Sequence, residues 1–285
     1  MKRVDIVTTG PGYYALLDSG EGRKLEQFGS VVLDRPDPQA LWAKTNPVLW
    51  QSADAQFLWA DKGERWTLAE GVSETWEVSS AGLTVSLSFK GFKHIGIFPE
   101  HSGQWNELIK LGSVKPQLRM LNLFGYTGAA SIAAALGGME VTHVDASKST
   151  IETVKENATL SGLGSTALRV ICEDALRYAK RLVARGEQFE VIVMDPPAFG
   201  RGPKGEVWKI EESLKELLGL IPALLSEKAE LVILNGYASG YSARTFGELL
   251  GEVLPSEAVE YGEIALVQKE SERLLTTGIY STWRV

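Results

Sequence analysis

The segment best suited to chemistry is Asp195-Pro-Pro-Ala-Phe199, which directly follows the predicted strand 189–194. Two prolines after a buried strand impose a rigid, extended turn, and this turn fixes the carboxylate of Asp195, the adjacent carbonyl and the ring of Phe199. A fixed pair of acceptors beside an aromatic face suits a planar, amino-bearing group, because the ring stacks on the group while the acceptors hold its N–H bonds. The alternative is that the prolines only terminate the strand.

Three further segments follow apolar runs in the same way. Asn122-Leu-Phe-Gly-Tyr-Thr-Gly128 contains two glycines that permit a tight turn and close backbone approach, although its spacing is not the dinucleotide-binding G-x-G-x-x-G. Asp145, which lies 20 residues after Gly125, either accepts hydrogen bonds from ribose hydroxyls or caps the next helix, as Ser147 could also do. Asp174 either accepts from an adenine amino group or caps a helix, and taken alone it favours the cap.

From about residue 116 the sequence alternates between apolar runs and amphipathic stretches, which predicts strands and helices in turn. The pattern indicates a Rossmann-like α/β fold with a seven-stranded, mostly parallel sheet that helices cover on both faces. Residues 264–267 and 278–283 have no helix between them and are expected to close the sheet as an antiparallel hairpin. Because ligands of open α/β sheets bind beyond the carboxyl ends of the strands, the four segments above should meet at one edge.

Residues 1–90 instead show short strands separated by turns, one of them at Asp61-Lys-Gly63, and indicate a small N-terminal antiparallel β domain. Tryptophan is dense in this region, either as filling for a small sheet or as a stacking platform for nucleotides. We therefore expect three regions, namely the β domain 1–90, a connecting segment 91–115 and an α/β domain 116–285.

The 285 residues carry 29 basic and 36 acidic side chains, which give a net charge of −7. This balance argues against a protein that holds nucleic acid on a broad basic surface, because phosphate contacts require lysine and arginine. One short basic segment, Gly200–Gly205, directly follows the aspartate-proline motif. Its Arg201 and Lys204 could meet phosphates as part of a mobile flap, or the segment is a solvated connection.

Cys172 is the single cysteine, so neither an intrachain disulfide nor a cysteine-based metal site is expected. The three histidines show no metal-ligand spacing, and no metal is predicted. No apolar stretch approaches the ~18 residues of a membrane span, and no signal peptide is evident. The sequence therefore favours a cytoplasmic protein without a membrane partner, and it leaves the oligomeric state open.

The four segments, in this order, resemble the class I S-adenosylmethionine-dependent methyltransferases, and within them the branch of 23S rRNA large-subunit methyltransferases and their uncharacterised relatives. The resemblance covers about residues 90–285 and includes the segment Phe92–Trp105, which is similar to the family's cofactor-side segment. It implies a catalytic domain over 116–285, S-adenosylmethionine as cofactor, and RNA, preferably ribosomal, as substrate. Two departures are Asn122, where the family often has an acid, and Asp195, where many amino-group methyltransferases have asparagine.

The resemblance also implies roles for individual residues, which follow from their positions in the motifs. The implied groups are a catalytic group, Asp195, Pro196 and Phe199; a substrate-binding group, Pro197, Arg201 and Lys204; and a cofactor-binding group, Phe98, Gln104, Asn122, Phe124, Gly125, Tyr126, Thr127, Asp145, Ala146, Asp174 and Ala175.

Methyl transfer from a sulfonium is a direct displacement, for which a protein mainly supplies alignment and electrostatic stabilisation. Methylation at carbon 5 of a pyrimidine needs a covalent nucleophile, normally cysteine. Cys172 precedes the predicted adenine region and is interpreted as a small apolar core residue, so a base nitrogen is favoured as the acceptor. Two alternatives stay open, namely a small metabolite or protein side chain as substrate, and a cofactor-binding module without catalysis.

Overall fold

The computed structural model describes residues 1–60, 63–89, 93–237 and 240–285. The predicted turn at Asp61-Lys-Gly63 and the beginning of the segment Phe92–Trp105 therefore lie partly outside the described residues. The α-helices are α1 (Ser102–Val114), α2 (Ala129–Leu136), α3 (Lys148–Leu160), α4 (Ala175–Ala184), α5 (Ile210–Leu224) and α6 (Ala243–Gly251). The strands are β1 (Lys2–Arg3), β2 (Ile6–Thr8), β3 (Tyr14–Gly20), β4 (Arg23–Phe28), β5 (Val31–Pro36), β6 (Ala55–Ala60), β7 (Gly63–Leu68), β8 (Thr75–Ser80), β9 (Leu83–Ser88), β10 (Arg119–Leu123), β11 (Glu140–Asp145), β12 (Leu168–Cys172), β13 (Val191–Met194), β14 (Phe199–Arg201), β15 (Val207–Lys209), β16 (Leu231–Tyr237), β17 (Val259–Val267) and β18 (Leu274–Arg284).

The chain divides into two compact units. The α/β unit comprises Met1–Ile6, Gln104–Glu263 and Gly278–Val285, and the β unit comprises Val7–Gly103 and Ile264–Thr277. The first six residues thus belong with the α/β unit, and the tip of the C-terminal hairpin belongs with the β unit, which differs from the sequence boundaries. Strand β1 has two residues, too few to show a hydrophobic period.

The central sheet has the strand order β1-β17-β18-β16-β13-β10-β11-β12, with β2 beside β17, which makes nine strands among the described residues. Strands β16, β13, β10, β11 and β12 are parallel neighbours, and β18 runs antiparallel to β16. This confirms the predicted mostly parallel α/β fold with an antiparallel C-terminal hairpin. The sheet has nine strands rather than seven because the two short N-terminal strands extend one edge.

The core of the α/β unit is built from continuous apolar strands and one-sided helices. All four residues of β13 are buried, as expected for a strand that is covered on both faces. In α5 the residues Leu214, Leu217, Leu218 and Ile221 follow the helical i, i+3, i+4, i+7 spacing, and all are at most 4% exposed. Each such burial stabilises the fold by about 1.5–3 kcal/mol. The buried face of α5 therefore anchors to the core the segment that follows the aspartate-proline turn.

The β unit contains a five-stranded sheet of order β3-β4-β5-β6-β7 and the separate hairpin β8–β9. Its pairs are antiparallel except for β5 and β6, which are parallel. The small N-terminal sheet is therefore confirmed, with one parallel pair that the sequence analysis does not anticipate. The rings of Trp66 and Trp76 each lie 4.8 Å from that of Phe89, which favours the interpretation of these tryptophans as filling for a small sheet.

Helix α1 occupies most of the segment that the sequence analysis treats as a connection. Its Trp105 and Leu108 are buried, and its Gly112 approaches the following helix closely. A Cβ atom at Gly112 would lie 2.8 Å from the carbonyl oxygen of Gly137, so only glycine permits this approach. From Gln104 onward the helix is therefore part of the α/β unit.

Candidate functional site

The carboxyl ends of the parallel strands lie in register at one edge of the sheet. Leu123 of β10 pairs with Val144 of β11 and with Met194 of β13, and Met194 pairs with Leu234 of β16. The residues that come next in the chain therefore lie side by side at this edge: Phe124, Asp145, Asp195 and Asn235.

The loop after β10 is held in a strained, compact form. Phe124 and Tyr126 have φ angles of 59° and 50°, in the left-handed region that L-residues rarely adopt. Between them, Gly125 donates its N–H to the carbonyl oxygen of Val144 at 2.9 Å. A Cβ atom at Gly125 would lie 2.3 Å from Cε1 of His143. Glycine is therefore required for packing at this position.

The end of the loop is fastened to the helices that follow it. The buried Thr127 accepts a hydrogen bond at its carbonyl oxygen from Nδ2 of Asn157, at 3.0 Å. Gly128 has a φ of 95°, and a Cβ atom there would lie 2.1 Å from Cγ2 of Val154. Both glycines of the loop are thus positions at which the backbone comes into direct contact with neighbouring side chains.

Asp145 joins the loop to the second strand. Its carboxylate accepts hydrogen bonds from the N–H of Tyr126 at 2.9 Å, the N–H of Ser147 at 2.9 Å and the hydroxyl of Thr150 at 2.7 Å. The cap of α3 is Ser147, whose hydroxyl accepts from Thr150 N–H, so the cap interpretation of Asp145 is wrong. An ionised carboxylate offers about four acceptor positions, so three bonds leave room for a hydroxyl of a ligand.

Asp174 and Cys172 lie at the end of the third parallel strand, β12. Asp174 caps α4 by accepting the N–H of Arg177 at 2.9 Å, which confirms the cap interpretation, and Ala175 begins the helix. Cys172 is half-buried rather than a core residue, because it ends the strand at the edge of the sheet. Its thiol donates to the carbonyl oxygen of Ala146 at 3.7 Å.

Asn122, Ser131 and His143 form a buried chain of hydrogen bonds beneath the loop. The amide nitrogen of Asn122 donates to Ser131 Oγ at 2.8 Å, and Ser131 Oγ lies 2.9 Å from Nδ1 of His143. The amide nitrogen of Asn122 only donates, so Ser131 Oγ accepts from it and links Asn122 to the imidazole of His143. Burial lowers the pKa of His143 to about 4, although the Asp145 carboxylate acts in the opposite direction. His143 is thus a neutral support for the loop at pH 7.

The aspartate-proline turn is held by a residue that the sequence analysis missed. Pro196 is buried, Pro197 is exposed and the Phe199 ring is 54% exposed. The buried Trp208 donates its indole N–H to the carbonyl oxygen of Pro197 at 2.7 Å, and its ring lies 4.7 Å from that of Phe124. One side chain therefore contacts both the loop after β10 and the turn after β13.

The segment Gly200–Gly205 is not the free flap that the sequence analysis allowed. Strands β14 and β15 form a hairpin, so that Gly200 and Arg201 belong to a strand. Glu206 organises the turn, because its carboxylate accepts the N–H of Lys204 and an N–H of Arg177, both at 2.9 Å. Backbone hydrogen bonds of Lys204 and Glu206 lower the pKa of the Glu206 carboxyl. The side chains of Arg201 and Lys204 are exposed.

Gln104 and Asn235 form a buried, reciprocal amide pair. Gln104 Nε2 donates to Asn235 Oδ1, and Asn235 Nδ2 donates to Gln104 Oε1, both at 2.8 Å. The sequence predicts Gln104 as a cofactor residue but does not single out Asn235. Asn235 follows the apolar residues of β16, and the register between β13 and β16 places it next to Asp195. Phe98 lies in the β unit, where its ring is 5.1 Å from that of His94.

Metal-binding clusters and membrane-spanning helices are both absent from the described residues. Within residues 1–60, 63–89, 93–237 and 240–285, no three His, Cys, Asp or Glu side chains are grouped so that they could hold a metal. Across the same part of the chain, no helix combines the length and the apolar character that a membrane crossing needs.

Comparison with solved structures gives matches that extend over the full length of the chain. The crystal structure of a SAM-dependent methyltransferase from Agrobacterium tumefaciens is 38% identical in sequence, with a TM-score of 0.94, and the match covers 100% of this chain and 97% of that chain. A putative SAM-dependent methyltransferase from Streptococcus mutans shares the fold at 18% identity, with a TM-score of 0.72 over 97% of this chain and 76% of that chain.

Sequence comparisons give shorter matches. The family described as "Conserved hypothetical protein 95" matches residues 109–218. The ribosomal RNA large subunit methyltransferase K/L of Chromohalobacter salexigens is 30% identical over 214 residues, which are 74% of this chain and 26% of that protein. The protein of the same name from Shewanella frigidimarina is 34% identical over 156 residues, 54% of this chain and 21% of that protein. The chain thus spans about a quarter of the length of these curated relatives.

Proposed function

The chain belongs to the S-adenosylmethionine-dependent methyltransferases, and from this premise we propose that it transfers a methyl group from S-adenosylmethionine to a base nitrogen of RNA, with ribosomal RNA as the favoured substrate. The observation that carries the proposal is that the glycine loop, Asp145 and Asp195 meet at one sheet edge. The RNA substrate is supported by the names of the curated ribosomal RNA methyltransferases that match the chain.

The glycine loop and the strand ends fit the cofactor. Gly125 has no space for a Cβ atom on the side of His143, and Phe124, Gly125 and Tyr126 are partly exposed, so the loop remains accessible to a ligand. In the proposed site Asp145 accepts from one hydroxyl of the ribose, while Asp174 and the N–H of Ala175 meet the adenine. Asn122 Nδ2 is engaged by Ser131, so Oδ1 is the atom proposed to accept from the amino group of the methionine part. When bound, the cofactor supplies a methyl group on a positively charged sulfur.

The remaining cofactor contacts that we propose come from the rim of the loop. Phe124, Tyr126 and Thr127 would line the methionine part, and Ala146 would lie beside the ribose. Gln104 would contribute through its amide pair with Asn235. This pair holds Gln104 beside the end of β13, the strand that precedes Asp195. The role of Phe98 stays a prediction from the motif.

On the substrate side, the proposed work of the protein is alignment. Asp195 and the Pro196 carbonyl would accept the N–H bonds of a base, and the exposed ring of Phe199 would stack on its face. Accepting these bonds leaves the nitrogen lone pair directed at the methyl group and stabilises the charge that develops on nitrogen during transfer. Pro197 keeps this turn rigid through the hydrogen bond from Trp208.

The position of Cys172 supports nitrogen rather than carbon 5 as the acceptor. Cys172 ends β12, which is three strands away from β13 in the order β13-β10-β11-β12. At about 4.8 Å between neighbouring strands, the two strand ends are separated by roughly 14 Å. Its thiol also donates to the carbonyl oxygen of Ala146. A cysteine so placed is poorly suited to attack a base that is held by Asp195.

The proposal is tested by incubating the protein with methyl-labelled cofactor and, in separate reactions, undermodified ribosomal RNA, protein extract and a metabolite pool. We expect label in RNA, mapped to a base nitrogen. Asp195→Ala should lower the rate about 100-fold, as expected for the loss of a hydrogen bond to a charged group. Lys228→Ala is the matched control, because Lys228 is exposed and precedes the amino end of β16, at the opposite edge of the sheet.

Three outcomes contradict the proposal in different ways. Label only in protein or metabolites would replace RNA by one of those substrates, and label on carbon 5 would replace nitrogen. No label in any pool, together with tight binding of the cofactor, would indicate a binding module without catalysis. A cytoplasmic location is proposed with the ribosomal substrate and is tested by fractionating cells.

A further inference from the structure

The hairpin β14–β15 has two chemically different faces. Phe199 pairs with Lys209, Gly200 with Trp208, and Arg201 with Val207. Because side chains alternate along a strand and cross-strand partners share a face, Gly200 and Trp208 lie on one side. Trp208 is 3% exposed and lies against Phe124, so this is the inner face. The outer face, which we call the ribbon face, consists of Phe199, Arg201, Val207 and Lys209.

The ribbon face combines exposed apolar side chains with cations. Phe199 is 54% exposed and Val207 is 53% exposed. Arg201 lies on this face, and Lys204 is in the turn beside it; the salt bridges found in the described part of the chain engage neither side chain. Lys209, in contrast, is paired with Glu212 at 2.7 Å.

The local charge of the hairpin is opposite to that of the whole chain. Residues 199–209 carry Arg201, Lys204, Lys209 and one carboxylate, Glu206, whereas the whole chain has a net charge of −7. Glu206 is also paired with Arg177 at 2.9 Å. A polyanion is therefore attracted to the hairpin although the chain as a whole repels it.

The hairpin is a rigid continuation of the aspartate-proline turn. Phe199 is the last residue of that turn and the first of β14. Trp208 Nε1 donates to the Pro197 carbonyl at 2.7 Å, and Ile210 N–H donates to the Ala198 carbonyl at 3.0 Å. The position of the ribbon face relative to Asp195 is thus set by hydrogen bonds.

We propose that the ribbon face binds an unpaired RNA segment that flanks the methylated base, an inference that rests on the function proposed above. Val207 presents apolar surface to a base next to the one on which Phe199 stacks, and Arg201 and Lys204 contact phosphates. The segment is unpaired because an aromatic side chain stacks on a base only when the face of that base is free, which it is not within a duplex. Lys209 contributes less, since Glu212 already neutralises it.

The test measures binding separately from methyl transfer. Fluorescence anisotropy is recorded with an unpaired RNA of about twelve nucleotides and with a duplex of the same sequence, in saturating S-adenosylhomocysteine, from about 50 to 200 mM salt. For Arg201→Ala/Lys204→Ala we expect the slope of log affinity against log salt to become shallower by about 1.4, since each phosphate contact contributes about 0.7. The KM for RNA should rise at least tenfold, because charge-assisted bonds are lost.

Other variants separate the two kinds of contact. Val207→Ser should weaken binding of the unpaired RNA and leave the salt slope unchanged. Lys209→Ala should change the slope by less than either Arg201→Ala or Lys204→Ala. Lys228→Ala, at the opposite sheet edge, should match the wild type. All of these side chains lie at the surface, and thermal unfolding of each variant verifies that the fold is retained.

Three results would overturn the inference. The first is that Arg201→Ala/Lys204→Ala has the same salt slope and the same KM as the wild type, while the wild type methylates RNA. This result would leave the proposed function intact. Another is equal affinity for duplex and unpaired RNA, and a third is displacement of RNA by an acidic peptide at equal charge concentration. If the wild type transfers no label to RNA in the labelling assay, both the proposed function and this inference fail. The binding measurements alone do not give that result.

Discussion

The indole N–H of Trp208 donates a hydrogen bond to the carbonyl oxygen of Pro197 at 2.7 Å, while the Trp208 ring lies 4.7 Å from that of Phe124. Phe124 belongs to the proposed cofactor loop, and Pro197 belongs to the proposed substrate turn. The two parts of the site are therefore joined through one buried side chain. A change in the position of Trp208 is expected to alter the alignment of the two substrates.

Trp208→Phe should lower kcat about tenfold and leave the affinity for S-adenosylhomocysteine nearly unchanged. The variant keeps an aromatic ring against Phe124 but removes the hydrogen bond that fixes the turn, and one such bond is worth about 1 kcal/mol. Steady-state kinetics and calorimetric titration measure the two quantities. The control is Trp283→Phe, because the buried indole N–H of Trp283 has no hydrogen-bond partner within the described residues. An equal loss in both variants would show that Trp208 acts only through packing.

Gly125→Ala should weaken cofactor binding and destabilise the protein by about 1–3 kcal/mol, the usual cost of overpacking. The added Cβ atom would lie 2.3 Å from Cε1 of His143, so the loop must move. The double variant Gly125→Ala/His143→Ala creates space and should recover part of the lost affinity. Gly164→Ala is the control, because a Cβ atom there meets nothing within 4 Å. Unfolding in denaturant and cofactor titration give the result; no recovery in the double variant would exclude the clash as the cause.

Cys172→Ala should leave methyl transfer within about twofold of the wild type. The Sγ atom lies 3.7 Å from the Ala146 carbonyl oxygen and roughly 14 Å along the sheet edge from the end of β13. Initial rates with labelled cofactor and RNA are the measurement. A loss of several orders of magnitude, with normal folding and cofactor affinity, would instead assign a covalent role to the thiol.

Asp18→Asn should destabilise the β unit at pH 7 and have a smaller effect near pH 3. Burial opposes ionisation of Asp18, but hydrogen bonds from Trp50, Asn46, Thr45 and Ser19 outweigh it and lower the pKa of the carboxyl. Because the folded pKa lies below the unfolded value of about 3.9, the ionised group stabilises the fold above that value.

This stabilisation is lost as the pH falls through the folded pKa of Asp18. Equilibrium unfolding at the two pH values measures the difference, which should be about 2 kcal/mol at pH 7. Glu77→Gln removes the charge of an exposed carboxylate and serves as the control. An Asp18→Asn effect that is the same at both pH values would contradict the ionised role.

The features found from sequence are those with a local signature. The four strand-end segments could be located because a buried strand, a break and a polar residue follow one another, and the parallel topology then requires them to meet. The distinction between Asp145 and Asp174 could not be made from residue type, since aspartate is a good cap in both places. The distinction depends on whether another residue, here Ser147, forms the N-cap of the helix.

The features missed from sequence depend on contacts between distant residues. Trp208 and Asn235 reach the site through tertiary packing that no spacing rule predicts, and Asn235 is identified only by its partner Gln104. Helix α1 was overlooked because its packing depends on a glycine contact with Gly137, which is not adjacent in sequence. Strand β1 has two residues and therefore no periodicity.

The positive φ angles of Phe124 and Tyr126 have a consequence for the residues that these two positions tolerate. L-residues in this region cost roughly 1–2 kcal/mol each, and β-branched side chains are the least compatible with it. Glycine adopts the same backbone form without this cost. Random substitution of the loop should therefore return glycine at these two positions more readily than valine or isoleucine.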